Sequence, residues 1–234
     1  MNEVVPATRV NLLGLERAGL EAFVSSLGNK PFRARQLMSW LYKRGEGDFA
    51  EIVGQLWLAK RELGFEPGGQ RIVTNVVLMG MGEPLANFRA VVPAIRIMLD
   101  DLGFDISRRR VTLSTSGLVP QIYKLAEETN CALAVSLHAP NDALRNELVP
   151  INRKHPIAEL LDACWHYIDE QNGRSVTFEY VMLDGVNDQV AHARELAELL
   201  KHKPAKLNLI PFNPFPGTSF RRSPAPVIAR FRDE

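Results

Sequence analysis

The stretch VVLMGMGEPLAN, residues 76–87, decides the fold because it runs from an apolar segment straight into a polar turn. The four apolar residues 76–79 are followed by two glycines, the carboxylate of Glu83 and then Pro84. A short apolar run that ends in a glycine-rich turn is typical of a buried strand in an α/β sheet. The glycines allow the main chain to approach a ligand, and Glu83 is suited to a cationic group.

The same pattern recurs along the chain. Apolar, β-rich runs lie at residues 72–79, 110–113, 131–137, 175–183 and 205–210, and segments with helical periodicity lie between them. Strands that alternate with helices predict a parallel sheet built through right-handed crossovers. Both a doubly wound sheet and a barrel-type array satisfy this pattern.

The first 49 residues differ from the rest of the chain. Residues 10–47 contain no strand signal, and the turn LGNKP at 27–31 separates short helical segments, since glycine closes helices and proline opens them. We therefore predict a small helical domain at 1–49 and the α/β domain at 50–234, beginning with a helix over residues 50–63.

Composition excludes several classes of protein. The net charge of +1 gives no overall basic field that would require nucleic acid as the partner. No apolar run approaches the roughly 18 residues of a membrane span, and no signal-peptide pattern opens the chain. The two cysteines, Cys131 and Cys164, have no metal-binding or redox spacing. We expect a soluble, cytoplasmic protein with reduced thiols and no membrane partner.

Small polar or ionisable residues follow every predicted strand. Because the carboxyl ends of parallel strands meet on one face, these side chains are expected to line a single pocket: Glu83, Ser114, Ser136, His138 and Asn213. Most of them also have a structural interpretation. A lone histidine after a strand is more often structural than catalytic. Glu83 could complement a helix N-terminus, Ser114 and Ser116 could cap helices, and Asn213 could start a turn. Repetition at five strands favours the pocket.

Six sequence blocks carry a resemblance to a known family, and they occur in order: NVVLMGMGEPLAN, RRRVTLSTSGLVP, ALAVSLHAPND, LVPINRKHPI, FEYVMLDGVND and LNLIPFNPFPG. The chain resembles the radical S-adenosylmethionine (SAM) enzymes, specifically the dual-specificity adenine carbon-2 methyltransferases of ribosomal and transfer RNA (RlmN type). The resemblance implies an α/β fold, a partial (β/α) barrel with five βα units retained. It identifies the small N-terminal helical domain as an accessory RNA-binding domain.

The resemblance also implies a SAM site. Gly82 and Glu83 would hold the methionine amino group, and Ser114 would meet the ribose or the methionine carboxylate. Ser136, Leu137 and His138 would border the nucleoside, and Asn213 would meet the adenine. The implied RNA-binding residues are Lys30, Arg33 and Arg35, although basic runs commonly form solvated faces.

One part of the family pattern is missing. Family members hold a [4Fe–4S] cluster with three thiolates of a CxxxCxxC loop, and this sequence has no such motif. Cys131 falls within a predicted strand and Cys164 within a helix, so both are interpreted as packing residues. The chain stops at Glu234, before the family's methyl-carrying cysteine, and the family's glutamate base is absent. We therefore expect no identifiable catalytic or metal-ligating residue and no methyltransferase activity for the polypeptide as written.

Several alternatives stay open. The family's partners would be ribosomal RNA, transfer RNA and an electron donor such as flavodoxin. The polypeptide itself could be a noncatalytic RNA- or SAM-binding remnant, or a relative that methylates carbon 8. A cluster-free enzyme could use His138 and Glu83 as acid and base. Loss of the strand before residues 72–79 would leave an exposed apolar edge that favours self-association.

Overall fold

The computed structural model describes Ala22 and residues 49–64, 73–80, 82–171 and 175–234. The predicted helical domain therefore lies almost wholly outside the described residues, as do Lys30, Arg33 and Arg35. The described parts of 47–79 and 83–234 belong to one compact unit. Within the described residues, no helix combines the length and apolarity that a membrane crossing requires.

The described residues of this unit form five strands and seven α-helices, with at least one helix between consecutive strands. The strands are β1 (Val76–Leu78), β2 (Val111–Thr115), β3 (Ala132–Ser136), β4 (Val176–Met182) and β5 (Ala205–Pro211). The helices are α1 (Phe49–Glu62), α2 (Phe88–Leu99), α3 (Val119–Glu128), α4 (Asp142–Leu148), α5 (Ile157–Glu170), α6 (Val190–Leu199) and α7 (Ala225–Asp233). Two 3₁₀ turns, Pro84–Asn87 and Pro150–Arg153, precede α2 and α5. The predicted strands are confirmed, with each boundary shifted by at most four residues.

The strand order separates the two architectures that the sequence left open. All neighbouring strands are parallel, and their spatial order β1-β2-β3-β4-β5 follows the chain order. A doubly wound sheet reverses direction at a switch point, whereas a barrel-type array adds each strand on the same side. The consecutive order is that of an open (β/α) barrel with five units, as predicted.

Helices cover one face of the sheet. Phe178, Tyr180 and Met182 of β4 are fully buried in the apolar core, and Leu160 and Cys164 of α5 belong to the same core. Side chains alternate between faces along a strand, so the residues between them point away from the helices. This second face carries the small and polar residues Ser114, Ser136, Glu179 and Asn208.

The first strand forms one edge of the sheet. β1 pairs with β2, and within the described residues it has no partner on its other side. Val77 is 49% exposed and Met79 is 41% exposed, so apolar side chains accompany unpaired main-chain groups at this edge. Such an edge favours pairing with another strand. Self-association at β1 remains a prediction.

Candidate functional site

Glu83 connects the tips of β1 and β2. Its Oε2 accepts hydrogen bonds of 2.7 Å from both the main-chain N–H and the hydroxyl of Ser116, just beyond β2. Its Oε1 accepts from the Leu85 N–H at 3.0 Å and so caps the 3₁₀ turn. A carboxylate oxygen has two lone pairs, so Oε1 retains capacity for a further donor. The capping role and a ligand-binding role are therefore compatible in this half-buried side chain.

Gly82, immediately before Glu83, has a φ of 127°. Residues with a Cβ rarely adopt this conformation, so the turn that presents Glu83 requires glycine at this position.

A buried arginine forms hydrogen bonds with main-chain groups at the tips of both β2 and β3. Arg145, on α4, has no exposed surface, and its guanidinium donates to the carbonyl oxygens of Ser116 (2.7 Å), Ser136 (3.0 Å) and Leu137 (3.1 Å). Burial lowers the pKa of Arg145 to about 10, and the carboxylate of Asp142 opposes this shift. The side chain remains charged at neutral pH. It therefore acts as a fixed cation that sets the spacing of the two strand tips.

A short polar network holds Arg145 in this orientation. Its Nη1 donates to the Oδ1 of Asn152 at 2.8 Å, and the Asn152 amide donates in turn to Asp142 and Asn146, each at 2.8 Å. Asn152 is 1% exposed. Because all these groups have partners, the cost of burying the guanidinium is offset within the fold.

His138 is a neutral hydrogen-bonding group. It follows β3 with a φ of 59°, and its Nδ1 faces the main-chain N–H of Val181 at 3.2 Å. Since Nδ1 must accept this bond, the ring proton lies on Nε2. Burial lowers the pKa of His138 to about 4, with a second contribution from Arg145, while the Glu179 carbonyl acts in the opposite direction. A ring that is neutral at pH 7 and held in this way is suited to donate a hydrogen bond from Nε2 rather than to act as an acid.

The loop after β4 is tied to β3 through Asn187. The amide of this fully buried residue donates to the carbonyls of Val181 (2.7 Å) and His138 (2.9 Å), and its Oδ1 accepts from the Leu183 N–H at 2.8 Å. The Tyr180 hydroxyl donates to the Asn187 carbonyl at 2.7 Å. One side chain therefore fixes both strand tips.

Four strand tips are thus joined by contacts that involve most of the predicted residues. The network includes Glu83, Ser136, Leu137 and His138. Ser114 lies in β2, two residues before Ser116, and is 6% exposed. Asn213 is exposed and lies two residues after β5. The pocket that these side chains were predicted to line, and its contacts with a ligand, remain predictions.

Two residues that join the strand tips were not predicted from the sequence: Arg145 and Asn187. In DALRNEL, Arg145 has the appearance of a surface helix residue, because sequence alone does not show that α4 packs over the strand tips. Asn187, in LDGVND, has the appearance of a turn residue. The only available signal was their place in the segments that follow predicted strands: Asn187 lies four residues after the strand predicted at 175–183, and Arg145 lies eight residues after the one at 131–137.

The cysteines do not fit an iron–sulfur cluster. Cys131, beside β3, and Cys164, on α5, are both fully buried, and burial raises the pKa of each thiol. The Cys131 sulfur lies 3.5 Å from the Thr129 hydroxyl and 3.7 Å from that of Tyr167. A cluster requires several converging thiolates. Moreover, no group of three potential metal ligands occurs among the described residues.

A separate cleft of about 630 Å³ lies at the other end of the sheet. It is lined by residues at the C-terminal ends of α2, α3 and α5, including Arg96, Glu128 and Gln171. In parallel α/β folds ligands bind at the carboxyl ends of the strands, and these helix ends lie at the opposite side. The strand tips are therefore the better candidate.

Comparisons with known proteins agree with this geometry. Residues 10–53 match the model of the ribosomal RNA large subunit methyltransferase N-terminal domain, and residues 66–199 match that of the radical SAM superfamily. The crystal structure of a radical SAM methyltransferase from Sphaerobacter thermophilus is similar at 33% identity and a TM-score of 0.72. The match covers 96% of this chain and 92% of that one.

A more distant structure shares the fold. A domain of a pyruvate-formate lyase-activating enzyme from Bacteroides vulgatus matches at 16% identity and a TM-score of 0.51. The match covers 68% of this chain and 91% of that domain. At this identity the likeness concerns architecture alone.

Proposed function

This chain belongs to the RlmN type of radical SAM methyltransferases, and from that premise we propose that its strand tips bind SAM. We propose further that the family reaction is methylation of carbon 2 of adenine in large-subunit ribosomal RNA and in transfer RNA. Ribosomal RNA, transfer RNA and an electron donor such as flavodoxin are the proposed partners, and the proposed RNA contacts are Lys30, Arg33 and Arg35. Methylation of carbon 8 is the alternative within the class.

The observation that carries the SAM proposal is the position of Glu83. Its carboxylate is held by two bonds from Ser116 and one from Leu85, which orient it without neutralising its charge. An ammonium group placed at this carboxylate would form a charge-assisted hydrogen bond. SAM carries such a group on its methionine part. The neutral His138, which follows β3, offers a hydrogen-bond donor two strands away from β1.

Replacing Glu83 with glutamine tests this proposal. Glu83→Gln keeps the size and a hydrogen-bonding oxygen but removes the charge, so the affinity for SAM should fall about 10- to 100-fold, the usual worth of one hydrogen bond to a charged group. Isothermal titration calorimetry measures the change. Glu127→Gln, at an exposed position on α3, is the matched control and should bind as the wild type does. Equal affinity of the Glu83 variant and the wild type would contradict the proposal.

We propose, in addition, that the 234-residue polypeptide does not carry out radical chemistry by itself. The support is chemical: its two thiols are buried and protonated, one beside β3 and the other on α5. A SAM-binding polypeptide without this chemistry corresponds to a noncatalytic remnant.

Anaerobic incubation with iron, sulfide and a reductant tests this second proposal. After desalting, we expect no bound iron above background, no visible absorbance of a cluster and no methylated adenine in RNA digests analysed by mass spectrometry. Stoichiometric cluster formation with methyl transfer would refute it. Chromatographic standards for the carbon-2 and carbon-8 products would then identify the target atom.

A further inference from the structure

An exposed cluster of three phenylalanines lies in the loop that follows β5. The ring of Phe212 contacts that of Phe215, with centroids 6.1 Å apart, and that of Phe220, with centroids 6.4 Å apart. Both pairs are edge-to-face, and each outer ring contacts Phe212 alone among the rings of this loop. At least one face of each outer ring is therefore left clear by the cluster. In agreement, Phe215 is 62% exposed and Phe220 is 40% exposed.

Both ends of this loop are fastened beside β4. Pro211, the last residue of β5, pairs with Met182 at the end of β4. Arg222 forms an isolated antiparallel bridge with Leu183, the next residue along the chain. The two ends of the loop therefore lie side by side, which is the arrangement of an Ω-loop, a type of loop that is frequently functional.

The tip of the loop is a tight turn that presents Phe215. The N–H of Thr218 donates to the Phe215 carbonyl at 3.2 Å, and Gly217 has a φ of 90°. Proline at the second position and a positive φ at the third are typical of a type II turn, and Pro216 supplies the proline. Pro214 restricts the main chain on the other side of Phe215. Little conformational freedom is therefore left to lose when a ligand contacts this ring.

The loop also carries positive charge. The segment FNPFPGTSFRRSP, residues 212–224, contains two arginines and no acidic residue. The Nη2 of Arg221 lies 3.2 Å from the Oδ2 of Asp184, yet the arginine side chain is 80% exposed. Arg222 is exposed, and among the described carboxylates none forms an ion pair with it. Exposed aromatic rings beside such cations suit a polyanion with flat apolar groups, which is the chemistry of a single-stranded nucleic acid.

The size of the cluster distinguishes between two classes of partner. A phenylalanine side chain offers roughly 200 Å², so the exposed parts of Phe215 and Phe220 together amount to about 200 Å². A stable protein interface needs about 800 Å² from each partner. One aromatic ring is enough to stack one base. The exposed rings therefore fit a nucleic acid better than a protein surface.

We propose that Phe215 and Phe220 stack on unpaired bases of single-stranded RNA while Arg222 contacts its phosphates. The inference rests on the proposed function, because it assigns a contact surface to the proposed RNA partner. The loop follows the carboxyl end of β5, so it lies at the same end of the sheet as the other strand tips. Stacking tolerates every base, so this surface supplies affinity rather than sequence selectivity.

Two labelled oligonucleotides test the proposal by fluorescence anisotropy. One is a single-stranded RNA of about 12 nucleotides, and the other is an abasic chain of the same length and charge. We expect Phe215→Ala to bind the RNA about 5- to 100-fold more weakly than the wild type and to bind the abasic chain equally well. Leu102→Ala is the matched control, since Leu102 is 97% exposed and precedes β2 at the opposite end of the sheet. It should bind both oligonucleotides as the wild type does.

Three further variants separate stacking from other contacts. Phe215→Tyr keeps the ring and should bind RNA as the wild type does, whereas Phe215→Leu should resemble the alanine variant. If the leucine variant binds RNA as tightly as the wild type, the contact is merely apolar and the inference is overturned. Arg222→Gln should weaken binding of both oligonucleotides alike and reduce the slope of log affinity against log salt concentration by about 0.7. An unchanged slope would refute the phosphate contact.

Measurements of folding and of SAM-site occupancy identify which inference fails. Because Phe215 is largely exposed, Phe215→Ala should unfold at the same urea concentration as the wild type and bind S-adenosylhomocysteine equally well. A loss of either would place Phe215 in the fold or in the SAM site and would overturn the inference. If the wild type binds RNA but Phe215→Ala binds it equally tightly, the loop contact is refuted and the RNA partner stands. If the wild type binds no RNA, both are refuted.

Discussion

Replacing Arg145 with alanine is expected to lower the free energy of unfolding by about 4 kcal/mol, within the range for breaking a buried charged network. The guanidinium is fully buried and donates to three carbonyl oxygens and to Asn152. Alanine would leave these buried acceptors without their donor and would open a cavity in place of the side chain. Affinity for SAM should fall in parallel, because the tips of β2 and β3 lose the group that fixes their spacing.

Urea unfolding followed by circular dichroism measures this effect. Arg145→Lys should be intermediate, since lysine keeps the charge but cannot reproduce the planar set of donors. Arg108→Ala, at an exposed position, is the control and should change stability by less than about 0.5 kcal/mol. A loss below about 1 kcal/mol for Arg145→Ala would mean that the carbonyls find other donors, contrary to the network described for the strand tips.

Acidification should destabilise the protein through His138 by up to about 3 kcal/mol between pH 6.5 and about 4. In the folded protein, burial and Arg145 lower the pKa of His138 from 6.5 to about 4. As the pH falls through this window the unfolded chain takes up a proton and the folded protein does not. The free energy of unfolding therefore decreases with falling pH, and this contribution is fully present above about pH 6.5.

His138→Asn isolates this contribution. Asparagine tolerates the positive φ of 59° at this position but has no proton to gain in the window. Burial also raises the carboxyl pKa of Glu179. This shift changes the free energy of unfolding in the opposite direction, because the stabilisation that the protonated carboxyl provides is lost as the pH rises. The quantity to compare is therefore the difference between wild type and variant, from urea unfolding at several pH values. This difference should shrink on acidification, and a difference that is constant with pH would contradict a neutral, buried ring.

The fold was predictable because its signals are local. Each strand is a short apolar run that ends in small polar residues, and each helix has an apolar stripe such as Val91, Ile95 and Met98, all of which are buried. Because strand patterns alternate with helix patterns along the chain, the sequence predicted that the strands are parallel. The choice between a barrel-type array and a doubly wound sheet depends on spatial strand order, which short-range patterns do not encode.

The candidate site was predictable only in part, for a related reason. Glu83, Ser136 and His138 follow strands directly, so topology brings them to one face. Arg145 and Asn187 act through contacts between elements. Arg145 lies 29 residues from Ser116, to which it donates, and Asn187 lies 49 residues from its acceptor His138. Their side-chain types suit a surface helix and a turn equally well. Only the packing of α4 over the strand tips distinguishes these roles.

The most direct test of a SAM site at the strand tips is a nuclear magnetic resonance titration of the ¹⁵N-labelled protein with SAM. We predict that the backbone amide signals of Ser116, Ser136, His138 and Glu179 shift together, with one dissociation constant, because one ligand spans β2 to β4. Shifts confined to the cleft at the opposite end of the sheet, around Arg96 and Gln171, or no shifts at all, would contradict the account.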